Sequence, residues 1–181
     1  MTSYSRVPLD KEEKMTDLEK LDFHHHRYPF CVVWTPIPLL SWLIPFIGHT
    51  GIATSSGVIR DFAGPYYVSE DDMAFGNPTK YWQLDSQSII GGASAWDAAV
   101  LEASDVYSHR IHKIICDNCH SHVAYALNTM GYKGSTSWNM VYVCWNLMLR
   151  GSFVGCRGFF KTYLMPLVVW SIIIAAIFYS V

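Results

Sequence analysis

The amino-acid sequence predicts an α+β fold: a small antiparallel sheet packed on helices, with a transmembrane helix at the C-terminal end. Three observations carry that expectation. Gly48 to Phe62 alternates like two short strands about the turn signal Thr54-Ser55-Ser56-Gly57. Ile115 to Met130 passes from a β-branched segment into an apolar stripe at helical spacing, Val123, Ala126, Leu127 and Met130. Tyr163 to Val181 is 19 residues without a charge, about 28 Å long as a helix against a hydrocarbon core of roughly 30 Å.

The remaining elements follow in chain order. Residues 1–27 are polar and mixed in charge (Lys11-Glu12-Glu13-Lys14) and read as a disordered tail without a signal-peptide pattern; His24-His25-His26 reads as a solvated run. Residues 28–135 form the expected core. Phe30 to Ile47 is apolar, but Pro36, Pro38 and Pro45 interrupt any continuous helix. The preferred reading is a strand at Cys31–Thr35, then a proline-bounded loop that puts Leu39, Leu40, Trp42, Leu43 and Phe46 into the membrane interface. A re-entrant or spanning segment is the alternative. Tyr66–Val68 and Lys80–Leu84 have strand-like content. The acidic loop between them lacks the oxygen-ligand spacing of a calcium loop. A helix is expected from Ser94 or Ala95 to Ser108, with Trp96, Ala99, Val100, Ala103 and Tyr107 as its core stripe. Residues 136–162 should hold an amphipathic helix, Trp138–Leu149, capped by Ser137, with Val141, Cys144, Trp145 and Met148 on its apolar face. The span itself is 163–181, with Pro166 in its first turn.

Composition narrows the function classes. Thirteen basic against 15 acidic residues, with no basic stripe, exclude a nucleic-acid footprint. Gly91-Gly92 lacks the Lys-Ser/Thr of a phosphate loop. An apolar fraction of 51% with seven Trp and eleven Tyr points to lipid. Arg150, Arg157 and Lys161 precede the span and nothing charged follows, which places the body of the chain in the cytosol. Its five cysteines then stay reduced.

The chemistry concentrates at Cys116-Asp117-Asn118-Cys119-His120-Ser121-His122. A cysteine at a strand-to-helix junction meets unpaired backbone N–H groups and the positive end of the helix dipole, and both favour thiolate. Several readings stay open: a buried structural cysteine, a zinc site built on Cys116 and Cys119 with His112, His120 or His122, a catalytic thiol, and Cys-x-x-Cys redox chemistry. The catalytic reading needs a base. His49, at the start of the first hairpin strand, and Asp61, near the end of the second, are expected to stand across from each other, the carboxylate orienting the imidazole.

His49-x-Gly51-Ile52, the glycine turn, Asp61 and Asn118-Cys119 at a helix start resemble the circularly permuted papain-like fold of the NlpC-type proteins and of lecithin retinol acyltransferase and its relatives. The resemblance implies Cys119 as nucleophile, His49 as base and Asp61 as third polar residue; for Asn118 three roles stay open, to cap the helix, to hold the nucleophile turn or to help bind an oxyanion. The resemblance departs at Asp61, where those acyltransferases usually carry histidine, and after Cys119, where they continue Glu-His. Over nearly its whole length the chain resembles the transmembrane protein 222 family, which includes the plant reversion-to-ethylene-sensitivity proteins. Tyr28-Pro29-Phe30-Cys31-Val32-Val33-Trp34, Trp42-Leu43-Ile44-Pro45-Phe46-Ile47-Gly48-His49 and Cys116-Asp117-Asn118-Cys119 carry that likeness. It implies an integral protein of the endoplasmic reticulum or Golgi, linked in plants to ethylene-receptor function, with no activity generally assigned.

Two functions are therefore expected in parallel: a cysteine-dependent hydrolase or acyltransferase acting at the membrane, and a non-enzymatic adaptor or chaperone that binds another integral membrane protein. Neither involves a cofactor, a nucleic acid or an assigned metal. The bilayer is the partner common to both.

Overall fold

Cys31-Val32-Val33-Trp34 is the most continuous apolar run in the first half of the core, and it becomes the buried central strand β1 (Cys31–Pro36). In the computed structural model, which describes residues 20–180, it pairs antiparallel with β2 (Gly48–Ala53) on one side and with β5 (Lys80–Gln83) on the other. Beyond β2 lie β3 (Ile59–Gly64) and β4 (Tyr67–Glu70); beyond β5 lies the two-residue β6 (Ser152–Phe153). The sheet order is β4-β3-β2-β1-β5-β6. Alternation divides β1 between two cores: Val32 and Trp34 join the main cluster, Cys31 and Val33 a smaller one with Tyr28, Ala53, Ile59 and Met73.

The hairpin forms where the sequence placed it. Thr54 N donates to Val58 O at 2.9 Å and Gly57 N to Thr54 O at 3.0 Å. Gly57 sits at φ 88°, and a Cβ there would lie 2.6 Å from Tyr28 N, so glycine is required on both counts.

The main core lies between the sheet and three helices: α2 (Gly92–Ser108), α3 (Cys119–Thr129) and α4 (Met140–Arg150). The stripe expected on α2 is buried in full, and Trp96 Nε1 donates to Ala53 O at 2.7 Å. One expectation for α4, its start, needs correction. Its cap is Asn139, whose side chain accepts from Val141 N and Tyr142 N, both at 3.0 Å, so the helix begins later than Ser137 would allow. Its buried residues are Val143 and Leu147, four apart, while Val141 and Trp145 are 68% and 58% exposed. The expected apolar face is thus largely the outer one, the side that an amphipathic helix lying on a membrane presents to it.

The strand expected at the start of the Phe30–Ile47 stretch is present, and the loop after it contains a helical turn. After β1 comes α1 (Leu40–Leu43), one helical turn fixed by Ser41, whose Oγ accepts from Ile37 N at 2.7 Å and donates to Ile47 O at 2.5 Å. Four residues cannot cross a bilayer. Instead α1 packs along α5 (Gly155–Ser180), and Trp170 Nε1 donates to Leu43 O at 3.1 Å. Trp170 stands seven positions beyond Tyr163, about 10 Å along the helix axis.

α5 is long and apolar enough to cross a membrane, and 11% of its most apolar stretch is buried, where a soluble core helix would be mostly covered. It starts eight residues before the predicted span. Pro166 is consequently interior rather than in the first turn, and leaves the Thr162 carbonyl without its helical donor. At the other end of the chain, Asp22 and Arg27 exchange backbone hydrogen bonds at 3.0 and 2.8 Å, and His24 and His25 donate their N–H groups to Asp22 Oδ1. The histidine run is thus an exposed, closed turn. The rest of the expected tail, residues 1–19, lies outside the described residues.

Candidate functional site

β2 and β3 bring His49 and Asp61 together. The β2–β3 register sets Ile52 opposite Arg60 and Ala53 opposite Ile59, so Asp61 stands opposite Gly51 and His49 is its diagonal neighbour. The pair is reached across the missing side chain of Gly51, whose Cβ would come within 3.0 Å of Asp61 Cβ. His49 Nε2 meets Asp61 Oδ2 at 2.6 Å, with the two side chains 3% and 0% exposed. Asp61 is held from two further directions: Ser69 Oγ donates to Oδ1, and Ala74 N donates to Oδ2 at 3.2 Å. Phe75 meets the imidazole edge-on, ring centroids 5.4 Å apart.

α3 packs against β2 and β3 and delivers Cys119 at its first residue. Asn118 is the N-cap: its Oδ1 accepts from His120 N at 3.0 Å and Ser121 N at 3.2 Å, and Ser121 Oγ accepts from Asn118 N at 3.4 Å. This reciprocal capping box satisfies donors that a helix start otherwise leaves open. Asn118 Nδ2 also donates to Ile114 O at 2.6 Å, pinning the preceding loop. Of the roles weighed for Asn118, capping and holding the turn are the ones its contacts serve.

Cys119 is buried, and Cys116 three residues earlier is exposed. Burial alone would raise the Cys119 thiol, but hydrogen bonds from His112, His120 and His49 outweigh it and hold the group well below the usual thiol range. His120 Nδ1 lies 3.5 Å from the sulfur. For His49 burial works against protonation, yet hydrogen bonds with Asp61 and Cys119 prevail and raise it to about 9. Because Nε2 is engaged by Asp61, Nδ1 is the ring nitrogen left for the thiol. His120, also opposed by burial, is raised to about 9 by Cys119 and Cys144. The arrangement favours a thiolate facing imidazolium, which is a nucleophile with a proton donor beside it.

The structure therefore brings Cys119, His49, Asp61 and Asn118 into one region, and adds residues the sequence reading had not placed there. Ser69 escaped because the β3–β4 pairing was not foreseen; the register Asp61↔Ser69 puts it on the carboxylate's own face. The sequence offers His112 and His120 as zinc ligands. His120 stands at the sulfur and His112 helps to lower the thiol's pKa, but among the described residues no three His, Cys, Asp or Glu side chains are disposed to hold a metal ion. His122 is completely buried against Tyr107, with ring centroids 5.3 Å apart, and neither ring nitrogen has a hydrogen-bond partner. Burial depresses it to about 4, so it is neutral near pH 7.

The comparisons with known proteins bear on the whole core. The sequence model of the RTE1-like family matches residues 22–151, from the Asp22 turn through α4. The chain is 37% identical over 180 residues to the Arabidopsis thaliana protein Reversion-to-ethylene sensitivity1, covering 89% of this chain and 72% of that one. No solved structure matches. The matched span contains the whole His49, Asp61, Asn118 and Cys119 constellation, and the chain belongs to the RTE1-like family.

Proposed function

We propose that the protein is a membrane-anchored regulator that binds another integral membrane protein. The observation that carries this reading is the likeness, over 89% of the chain, to a protein named for its effect on ethylene sensitivity. The outer surface supports it. Val141, Tyr142, Trp145 and Leu149 project from α4 without cover, beside a helix of spanning length, the kind of apolar face a partner's membrane segment occupies. Arg150 at the end of α4 and Arg157 and Lys161 in the first turns of α5 favour a cytosolic body, and the resemblance to the transmembrane protein 222 family favours the endoplasmic reticulum or Golgi. The test is replacement. Expressed in Arabidopsis plants lacking the relative, the full chain restores ethylene sensitivity to its usual level, and a Val141→Lys/Trp145→Lys variant of equal abundance does not. Equal restoration by both would remove α4 from the binding face, and restoration by neither would remove the regulator reading.

A second reading rests on a different observation, the buried His49–Asp61 pair beside Cys119. In it the Cys119 thiolate adds to an acyl carbonyl carbon, and the His49 imidazolium gives its proton to the departing group. The same imidazole then takes a proton from water or an acceptor alcohol, which attacks the thioester and releases the thiolate. Asp61 keeps the ring oriented throughout. The order of hairpin and cysteine-bearing helix supports a permuted papain-like core. Cys119→Ser separates the two readings: a regulator retains its effect in the plant assay, whereas an acyl-transfer enzyme loses it.

A further inference from the structure

The structure holds a cavity of about 160 Å³ where α4, α5 and the loop after α1 meet, lined by Phe46, Lys80, Cys144, Leu147, Met148 and Tyr163 among others; His120 stands between Cys144 and Cys119. Its walls are apolar except for a few groups, and the only charged one is Lys80. That lysine is 8% exposed, yet no carboxylate lies within ion-pair distance of it among the described residues. Its Nζ rests 5.0 Å from the centre of the Phe153 ring. An ammonium in a largely apolar wall without a carboxylate partner is costly, and desolvation lowers its pKa against the opposing influence of Cys144. No Asp or Glu lines the space, and Arg157 and Lys161 stand on the adjoining turns of α5.

The location selects the ligand. Tyr163 opens the 19-residue apolar run, so the cavity sits at the level where the membrane begins. Phe46 and Met148 at its rim are 53% and 40% exposed, which leaves it open toward lipid. The volume is below the roughly 300–1,000 Å³ of sites that enclose a whole small molecule, and near that of a cavity known to admit benzene. It can therefore seat a small head and a few methylenes while a tail runs out along α5. One ammonium balances one negative charge, and the space beside it does not suit a bulky glycerophosphate. We propose that this cavity binds the carboxylate head and first methylenes of a long-chain fatty acid drawn from the bilayer, with Lys80 as the charge partner. The site is independent of reactivity at Cys119 and of the regulator reading; it requires only that α5 lies in a membrane.

The test uses the full chain in phosphatidylcholine nanodiscs with a palmitic acid probe carrying a photoreactive diazirine near its head. In the native chain the acid should label the Phe46 loop and the Leu147–Met148 segment. The methyl ester of the same probe should label these peptides about tenfold less, the loss expected for one charge-assisted hydrogen bond. Lys80→Met should reduce acid labelling to the ester's level, and Lys80→Arg should restore part of it. The acid-versus-ester comparison needs no variant, so misfolding of Lys80→Met cannot mask the result. Equal labelling by acid and ester would overturn the proposal. So would displacement of the acid probe by lysophosphatidic acid at lower concentration than by palmitate, which would assign the site to a phosphate head.

Discussion

Gly51 is the position through which the sheet and the candidate site depend on one another. A Cβ added there would lie 2.9 Å from Arg60 O and 3.0 Å from both Asp61 Cβ and Ile59 Cγ2. All three neighbours belong to strand β3, and one of them is a backbone carbonyl, so relief requires β3 to move away from β2. Overpacking of this kind costs about 1–3 kcal/mol, or roughly 2–12 °C in melting temperature for a domain of this size. The same displacement carries the Asp61 carboxylate off His49 Nε2, now 2.6 Å away. His49 then loses the leading interaction that raises it toward about 9, and one of the donors holding the Cys119 thiol low is weakened. Gly64, at the end of β3, is the matched control, since an added Cβ there meets nothing within 4 Å.

The assay pairs thermal unfolding of the detergent-solubilised chain with the pH dependence of Cys119 alkylation by iodoacetamide, read by mass spectrometry of the Cys119 peptide. Native protein should react well below the pH at which a free thiol does. Gly51→Ala should melt earlier and shift its alkylation inflection upward, while Gly64→Ala should stay within about 0.5 kcal/mol of native. If Gly51→Ala and Gly64→Ala gave the same melt and the same pH profile, the account of how Asp61 reaches His49 would be refuted.

Three further outcomes follow from other contacts. Asn118→Ala should lose about 1 kcal/mol of stability through its cap and slow alkylation of Cys119, measured against Asn139→Ala, which uncaps α4 and should leave the thiol unaffected. Replacing His122 by Phe should flatten the acid side of the stability curve: the native histidine, depressed to about 4 from an ordinary 6.5, contributes fully above pH 6.5 and is lost as pH falls toward 4. The native-minus-variant difference in melting temperature should therefore shrink or reverse across that window, and a constant difference would contradict a neutral buried His122. Deleting residues 163–181 should release the chain from membranes into a carbonate wash; continued retention would transfer anchoring to the α1 loop and α4.

Much of this architecture is legible in local sequence because the residues involved are local. The hairpin announces itself by alternation and by Gly57, and the α3 stripe by spacing, with Val123, Ala126 and Leu127 all fully buried. The Cys119 helix start was readable because Asn118 is a strong cap. The limits are equally physical. The inward face of α4 depended on what covered it, and Val143 and Leu147 won over the more hydrophobic-looking Val141 and Trp145. β6 is two residues long and exists only by pairing with β5, so no propensity signals it. Ser69 and Ala74 reach Asp61 through the β3–β4 register and the loop after it, and neither carries a local signature. His120 and His122 differ by two positions, yet one turns to the sulfur and the other enters the core; only the helix phase decides between them.

The energetics of the site argue that the buried polar cluster and the exposed apolar faces serve separate ends. A buried ion pair such as His49–Asp61 at best breaks even with well-packed apolar side chains of the same volume, and His122 adds two ring nitrogens without partners. Stability alone therefore gives no reason to gather His49, Asp61, His112 and His120 around one buried thiol. The proposed binding of a partner through α4 gives none either, since Val141, Tyr142 and Trp145 face outward on a different element. The two devices should consequently separate under mutation. Charges introduced at Val141 and Trp145 should abolish partner binding and leave Cys119 alkylation unchanged. Asp61→Asn should raise the alkylation inflection and leave the outer face intact. A variant at either location that altered both readouts while the fold held would show the thiol and the docking face to be coupled, and would make Cys119 part of how the partner is sensed.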